Sequence, residues 1–143
     1  MNNEFEFRFP AEPDYLRVLR DTLREALAAM GVAEATTDRV LLVMDEIASN
    51  AIEHGALYRQ GDKPLRARVR IVEERGVFLQ FHDEDMPSDT FAEVSAEILN
   101  MDTVPFVEME RGRGLFLIRE FLSDLQVLEP SDGGMLLEGF LRE

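Results

Sequence analysis

The sequence predicts an α+β fold, a two-layer sandwich with helices on one face of a mixed, mainly antiparallel sheet. Three observations point there. Runs alternating apolar and polar residues at Glu4–Phe9, Leu65–Glu73 and Val77–His82 have the period of strands. Two stretches between Asp14 and Gly55 repeat their apolar residues at helical spacing. Two pairs of strand-like runs are separated by short Gly-containing turns, as hairpins are. At 143 residues the chain fits a single domain, 1–143.

Taken in order, Glu4–Phe9 places Phe5, Phe7 and Phe9 on one strand face, and Pro10 and Pro13 end the run. From Asp14 a helix carries Leu16, Leu19, Leu23, Leu27 and Met30 and stops at Gly31. A second helix begins after Ala33–Thr37 and carries Val40, Leu41, Met44, Ile47, Ala48, Ala51 and Ile52, with Gly55 where a C-cap is expected. The strands Leu65–Glu73 and Val77–His82 are joined at Glu74-Arg75-Gly76. Arg66, Arg68 and Arg70 alternate there with Ala67, Val69 and Ile71, which predicts one buried and one wet face. Asp83 to Glu110 is acidic and irregular, with a short helix near Phe91–Leu99. A segment of this length without a strong pattern is usually functional or mobile. Gly112-Arg113-Gly114 opens a helix through Leu122. Asp124–Leu128 and Met135–Leu141 form a closing hairpin around Ser131-Asp132-Gly133-Gly134.

Hydrophobic residues make up 45% of the chain, which argues for a packed core. The net charge of −14 and pI of about 4.5 oppose binding to phosphate backbones or anionic lipid, so neither direct nucleic-acid binding nor membrane association is expected. No apolar run approaches the roughly 20 residues that span a bilayer. There is no cysteine, and Met1–Phe9 lacks the pattern of a signal peptide. A cytoplasmic location is the economical expectation. Two histidines without cysteine make a poor zinc ligand set.

The residues that carry chemistry start on the second helix. Glu46 and Asn50 are i, i+4 neighbours and share a face, with His54 continuing the stripe. Beside it lies an apolar face of Val43, Ile47, Ala51 and Leu57. A carboxamide oxygen suits Mg²⁺, and a carboxylate one turn away suits proton abstraction from a hydroxyl or water. Asp83 follows directly on a strand, where an unpaired carboxylate would accept a hydrogen bond from an adenine amino group. Arg111-Gly112-Arg113-Gly114-Leu115 precedes a helix, whose N-terminal amides favour phosphate. A solvated helix face, an acidic turn and a flexible Gly-x-Gly turn explain each segment singly. Their order along the chain is what points to a nucleotide.

Two stretches, "DEIASNAIEHG" and "ERGRGLFLIREFLSD", resemble the N-box and glycine box of the anti-sigma factor serine kinases. These belong to the GHKL superfamily of histidine-kinase-like ATPases. The resemblance runs over nearly the whole chain and implies a Bergerat-type ATP-binding fold with a lid at about 88–110. It implies a serine protein kinase that uses Mg-ATP to phosphorylate a STAS-type anti-anti-sigma partner in a partner-switching pathway. A sigma factor as competing partner and a homodimer are further implications. On this reading Glu46 is the base and Asn50 holds Mg²⁺. Asp83 binds adenine, and Arg111, Gly112, Arg113, Gly114 and Leu115 wrap the phosphates. Arg111 or Arg113 steadies charge on the transferring group. Arg17, on the first helix, corresponds to a partner-contact arginine.

Two positions depart from the family pattern. Asp85 stands where Gly is usual, two residues after the adenine Asp, and Met135 stands where a Thr often follows Gly134. Both bear on nucleotide affinity and leave Glu46 and Asn50 untouched. They keep open an alternative, a regulator that sequesters a sigma factor or other partner with weak or no nucleotide binding.

Overall fold

A computed structural model describes residues 3–59, 61, 63–99 and 117–141. The elements run β1 (Glu4–Phe9), α1 (Tyr15–Ala29), α2 (Glu34–Gly55), β2 (Leu65–Val72), β3 (Gly76–Asp83), α3 (Ser88–Leu99), β4 (Leu122–Leu128) and β5 (Met135–Leu141). The five strands form one sheet in the order β1-β2-β3-β5-β4, and all four pairings are antiparallel.

The period-two alternation decides which residues meet the helices. Phe9 from β1, Leu65, Ala67 and Val69 from β2, and Val77, Leu79 and Phe81 from β3 are buried. So are Leu19, Leu23 and Leu27 of α1 and Val40, Met44, Ile47 and Ala48 of α2, which complete the same core. α1 and α2 are also joined at the surface by Arg20–Asp45 at 2.8 Å and Arg24–Asp38 at 3.1 Å.

The opposite sheet face is polar, as the arginine alternation predicts. Arg68 reaches diagonally across β1 to Glu4 at 2.8 Å, and Arg66 reaches Glu6 at 3.6 Å. Arg70 and Arg75 lie over the rings of Phe78 and Phe140. This face therefore places guanidinium groups against carboxylates and aromatic rings, as a solvated antiparallel face does.

Three sequence expectations are adjusted. Gly55 is the last residue of α2, not a left-handed cap, and the cap is Ala56 in the right-handed region. Leu57 consequently falls beyond the helix and is 94% exposed, so it does not extend the apolar face of Val43, Ile47 and Ala51. Residues 117–121 are helical, but Leu122 already pairs with Leu141 as the first residue of β4. The glycines expected to open that helix, Gly112 and Gly114, lie outside the described residues, as do Arg111, Arg113 and Leu115. Of the span 88–110, the described part is α3. No helix among the described residues is long and apolar enough to cross a membrane.

Candidate functional site

A cavity of about 300 Å³ opens between α2, α3 and the end of the sheet. Its floor and walls are mostly apolar, with Ile47 and Ala51 from α2, Met86 after β3, Ile98 from α3, and Met135 and Leu137 from β5. Polar groups converge on it from Asn50, His54 and Tyr58. A concave, mainly apolar space with a few polar groups is the usual form of a small-molecule site.

Helical spacing brings Asn50 and His54 to this wall, one turn apart, as the sequence pattern predicts. The Asn50 Nδ2 atom is buried and has no hydrogen-bond partner. A buried unpartnered amide costs free energy in proportion to its lost hydration, about 1–3 kcal/mol. Such a group is a natural place for a ligand to satisfy. The unpartnered atom is a donor and suits an acceptor such as a phosphate oxygen, whereas the carbonyl oxygen of the same carboxamide is the atom a hard cation would need. Glu46 is half-buried one turn earlier and has an interaction of its own.

Asp83 is the last residue of β3 and is fully buried, at 0% exposure. Its place in the sequence suggests an unpaired carboxylate, and here the structure brings a correction. Arg59, in the connection from α2 to β2, donates from Nη1 to Asp83 Oδ1 and from Nη2 to Oδ2, each at 3.0 Å. The Tyr58 hydroxyl donates to Oδ2 at 2.6 Å, and the Asp85 backbone amide donates to Oδ1 at 3.1 Å, an Asx-turn contact. A carboxylate accepts about four hydrogen bonds, so Asp83 is saturated. The pairing is bidentate, the strongest arrangement an arginine and a carboxylate can make.

Asp85, the departure expected to bear on nucleotide affinity, turns onto Arg59, with Nη1 to Oδ2 at 3.4 Å. Met135 is buried and lines the cavity. Gly134 before it has φ +88°, and a Cβ there would lie 2.7 Å from Glu84 Cα and against the Asp83 carbonyl. Only glycine lets β5 come this close to the end of β3.

The charges respond to this packing. Burial and the hydrogen bond to Asp83 push the Tyr58 hydroxyl well above its ordinary value of 10.0, holding it neutral. For Arg59, burial disfavours the charge, but hydrogen bonding to and attraction by Asp83 outweigh it and raise the pKa. Both residues are therefore fixed as donors toward one carboxylate.

The structure thus gathers Asn50, His54 and Met135 around one space, with Asp83 joined to it through Tyr58 and Glu46 on the adjoining turn of α2. Arg17 lies apart from them on α1, 85% exposed, with Asp21 nearby at 3.9 Å. Tyr58 and Arg59 were missed from sequence. The available signal was Asp85 itself: a second acid two residues after a buried one calls for a cation.

The family described as "Histidine kinase-like ATPase domain" matches residues 9–138. Serine-protein kinase RsbW of Bacillus pumilus is 24% identical over 139 residues, covering 95% of this chain and 85% of that protein. RsbW of Bacillus cereus strain G9842 is 21% identical over 141 residues, covering 97% and 86%. Among solved structures, the SiaB–SiaC complex from Pseudomonas aeruginosa matches with a TM-score of 0.76 at 15% identity, covering 96% of this chain and 88% of that one. A Mycobacterium tuberculosis structure of RsbU and RsbW domains matches with a TM-score of 0.68 at 17% identity, covering 99% of this chain and 32% of that one. These structural likenesses are of fold, and the fold agrees with the GHKL-type architecture read from the two sequence boxes. The chain belongs to the histidine kinase-like ATPase domain family, and the RsbW serine-protein kinases are among its relatives.

Proposed function

We propose that this protein is a serine protein kinase of the anti-sigma factor type, acting on a small STAS-domain partner with Mg-ATP as phosphoryl donor. The observation that carries this is Asn50. It lines the cavity with a buried, unpartnered amide nitrogen, and Glu46 stands one turn before it on the same helix. A helix that carries a carboxylate one turn before a carboxamide lining a mainly apolar cavity can supply both a base and a cation ligand from one rigid element.

In this reading Mg-ATP supplies the phosphoryl group together with the charge neutralisation that phosphate transfer needs. Glu46 accepts the proton of the partner's serine hydroxyl, which raises its nucleophilicity toward phosphorus. Asn50 holds the cation on the cavity side of α2. Arg111, Gly112, Arg113, Gly114 and Leu115 wrap the phosphates, and Arg111 or Arg113 balances charge on the group in transfer. Residues 88–110 form the lid, and Arg17, exposed on α1, contacts the protein partner. The chain acts as one domain, 1–143, in a cytoplasmic partner-switching pathway, as a homodimer with a sigma factor as a competing ligand.

The test is transfer of labelled phosphate from ATP to STAS proteins of the same organism. Wild type phosphorylates one of them on serine. Glu46→Gln loses at least about a hundredfold in rate, the usual scale for a general base, while remaining folded. Asn50→Ala loses transfer and raises the magnesium requirement. Equal rates for wild type and Glu46→Gln remove Glu46 as the base.

The saturation of Asp83 favours a second reading, a regulator that binds its protein partner without turnover. Calorimetry with Mg-ATP separates the two, since a sequestering module shows weak or undetectable nucleotide binding even with its protein partner bound.

A further inference from the structure

The group expected to read the adenine does not fit that task as it stands. Asp83 is wholly buried, and all four of its acceptor sites are taken by Arg59, Tyr58 and the Asp85 amide. An exocyclic amino group approaching it finds no lone pair. We propose that Arg59 is an autoinhibitory latch, closed over Asp83 and Asp85, which nucleotide must displace before its base can be recognised. This rests on the reading of the cavity as a nucleotide site and adds a control to it.

The donor count on Arg59 supports occlusion over a new base-reading role. Its Nη1 serves Asp83 and Asp85, and its Nη2 serves Asp83 and the Ala51 carbonyl at 3.1 Å. All four Nη hydrogens are thereby spent. The remaining donor, Nε, is buried and has no partner. The guanidinium therefore offers nothing to a ligand while closed, and it carries one unsatisfied donor that opening would release to water. The latch is attached to the cavity it controls, because Tyr58, its neighbour and co-donor, is one of the lining residues.

The seat of the latch is built by Gly55. A Cβ at that position would overlap Arg59 Nη2 and lie 3.2 Å from the Tyr58 hydroxyl. The last turn of α2 thus leaves room for the guanidinium only because residue 55 has no side chain. Asp85 plays the matching part from the other side. Replacing the usual glycine by an acid gives Arg59 a second carboxylate at 3.4 Å. Gly55, Arg59 and Asp85 form one device, and each can be altered separately.

Nucleotide affinity is reduced by the fraction of molecules that are open, so a latch closed in about nine of ten molecules weakens binding about tenfold. The experiment is calorimetric titration of Mg-ADP into wild type, Arg59→Met and Gly55→Ala, with Mg-tripolyphosphate as a ligand lacking the base. Thermal melting establishes that each variant is folded. Both variants are expected to bind Mg-ADP about tenfold more tightly than wild type, with tripolyphosphate affinity unchanged. Gly55→Ala alters no polar group, so it carries the test if Arg59→Met fails to fold. In wild type, saturating Mg-ADP should speed amide exchange at Tyr58 and Arg59, whose amides bond to the Gly55 carbonyl at 3.1 and 2.9 Å. Equal or weaker Mg-ADP binding by folded variants overturns the latch while leaving nucleotide binding intact. Slower exchange at these two amides also overturns it. Absence of Mg-ADP and tripolyphosphate binding in every folded protein overturns the nucleotide reading and the latch with it.

Discussion

Replacing Asp83 by Asn removes one charge from a buried pair and changes almost nothing in volume. Asp83 is fully buried and Arg59 is 12% exposed, so the remaining guanidinium has little water to turn to. Removing one partner of such a pair typically costs about 3–5 kcal/mol. Asp85 stays 3.4 Å from Nη1, and the introduced carboxamide would still accept from Tyr58, which places the cost near the lower end, about 3 kcal/mol. Urea titration followed by circular dichroism reads this directly. With a urea dependence of about 2 kcal/mol per molar, the midpoint should fall by roughly 1.5 M. Asp38→Asn is the comparison, because its pair with Arg24 is half exposed and should change stability by less than about 1 kcal/mol. The double variant Asp83→Asn with Arg59→Met should be more stable than the two single losses predict, since the buried unpaired charge is gone. If Asp83→Asn lies within about 1 kcal/mol of wild type, Arg59 is not seated on Asp83 in solution.

Two other consequences follow from the same corner of the molecule. Tyr58 is held neutral, so its contribution to stability is complete below the ordinary phenol value of 10.0 and is lost as pH rises beyond it. The urea midpoint of wild type should fall more steeply above that pH than that of Tyr58→Phe, and parallel curves would contradict the buried hydroxyl–carboxylate contact. Gly134→Ala places a Cβ in the left-handed region and against the end of β3, at a cost of about 2 kcal/mol or more. A melting temperature unchanged from wild type would show that β5 does not approach Asp83 as closely as the structure has it.

Much of the fold was legible because its periodicities are clean. Phe5, Phe7 and Phe9, the leucines of α1 and the arginine alternation of β2 each announce a face, and each face is where the pattern puts it. The stripe through Asn50 and His54 was legible for the same reason, since helical spacing is local. What escaped the sequence was not local. Arg59 meets Asp83 across 24 positions and lies in an irregular segment with no period to mark it. Gly55 looked like a helix cap, because the usual reason for glycine at a helix end is conformational, whereas here the reason is the space it leaves for a guanidinium. Asp85 was noticed as an anomaly, but its partner could only be found once the chain was folded.

Phosphate transfer from ATP to a serine of a protein partner is the activity proposed for this domain. The most direct measurement is a pull-down from the native organism with Mg-ATP and with Mg-ADP, followed by phosphosite mapping of the bound proteins. The expected result is a small STAS-domain protein that carries phosphoserine only when ATP is supplied and loses it when Glu46→Gln replaces wild type. A STAS partner that is retained equally in both nucleotides and never phosphorylated would contradict it.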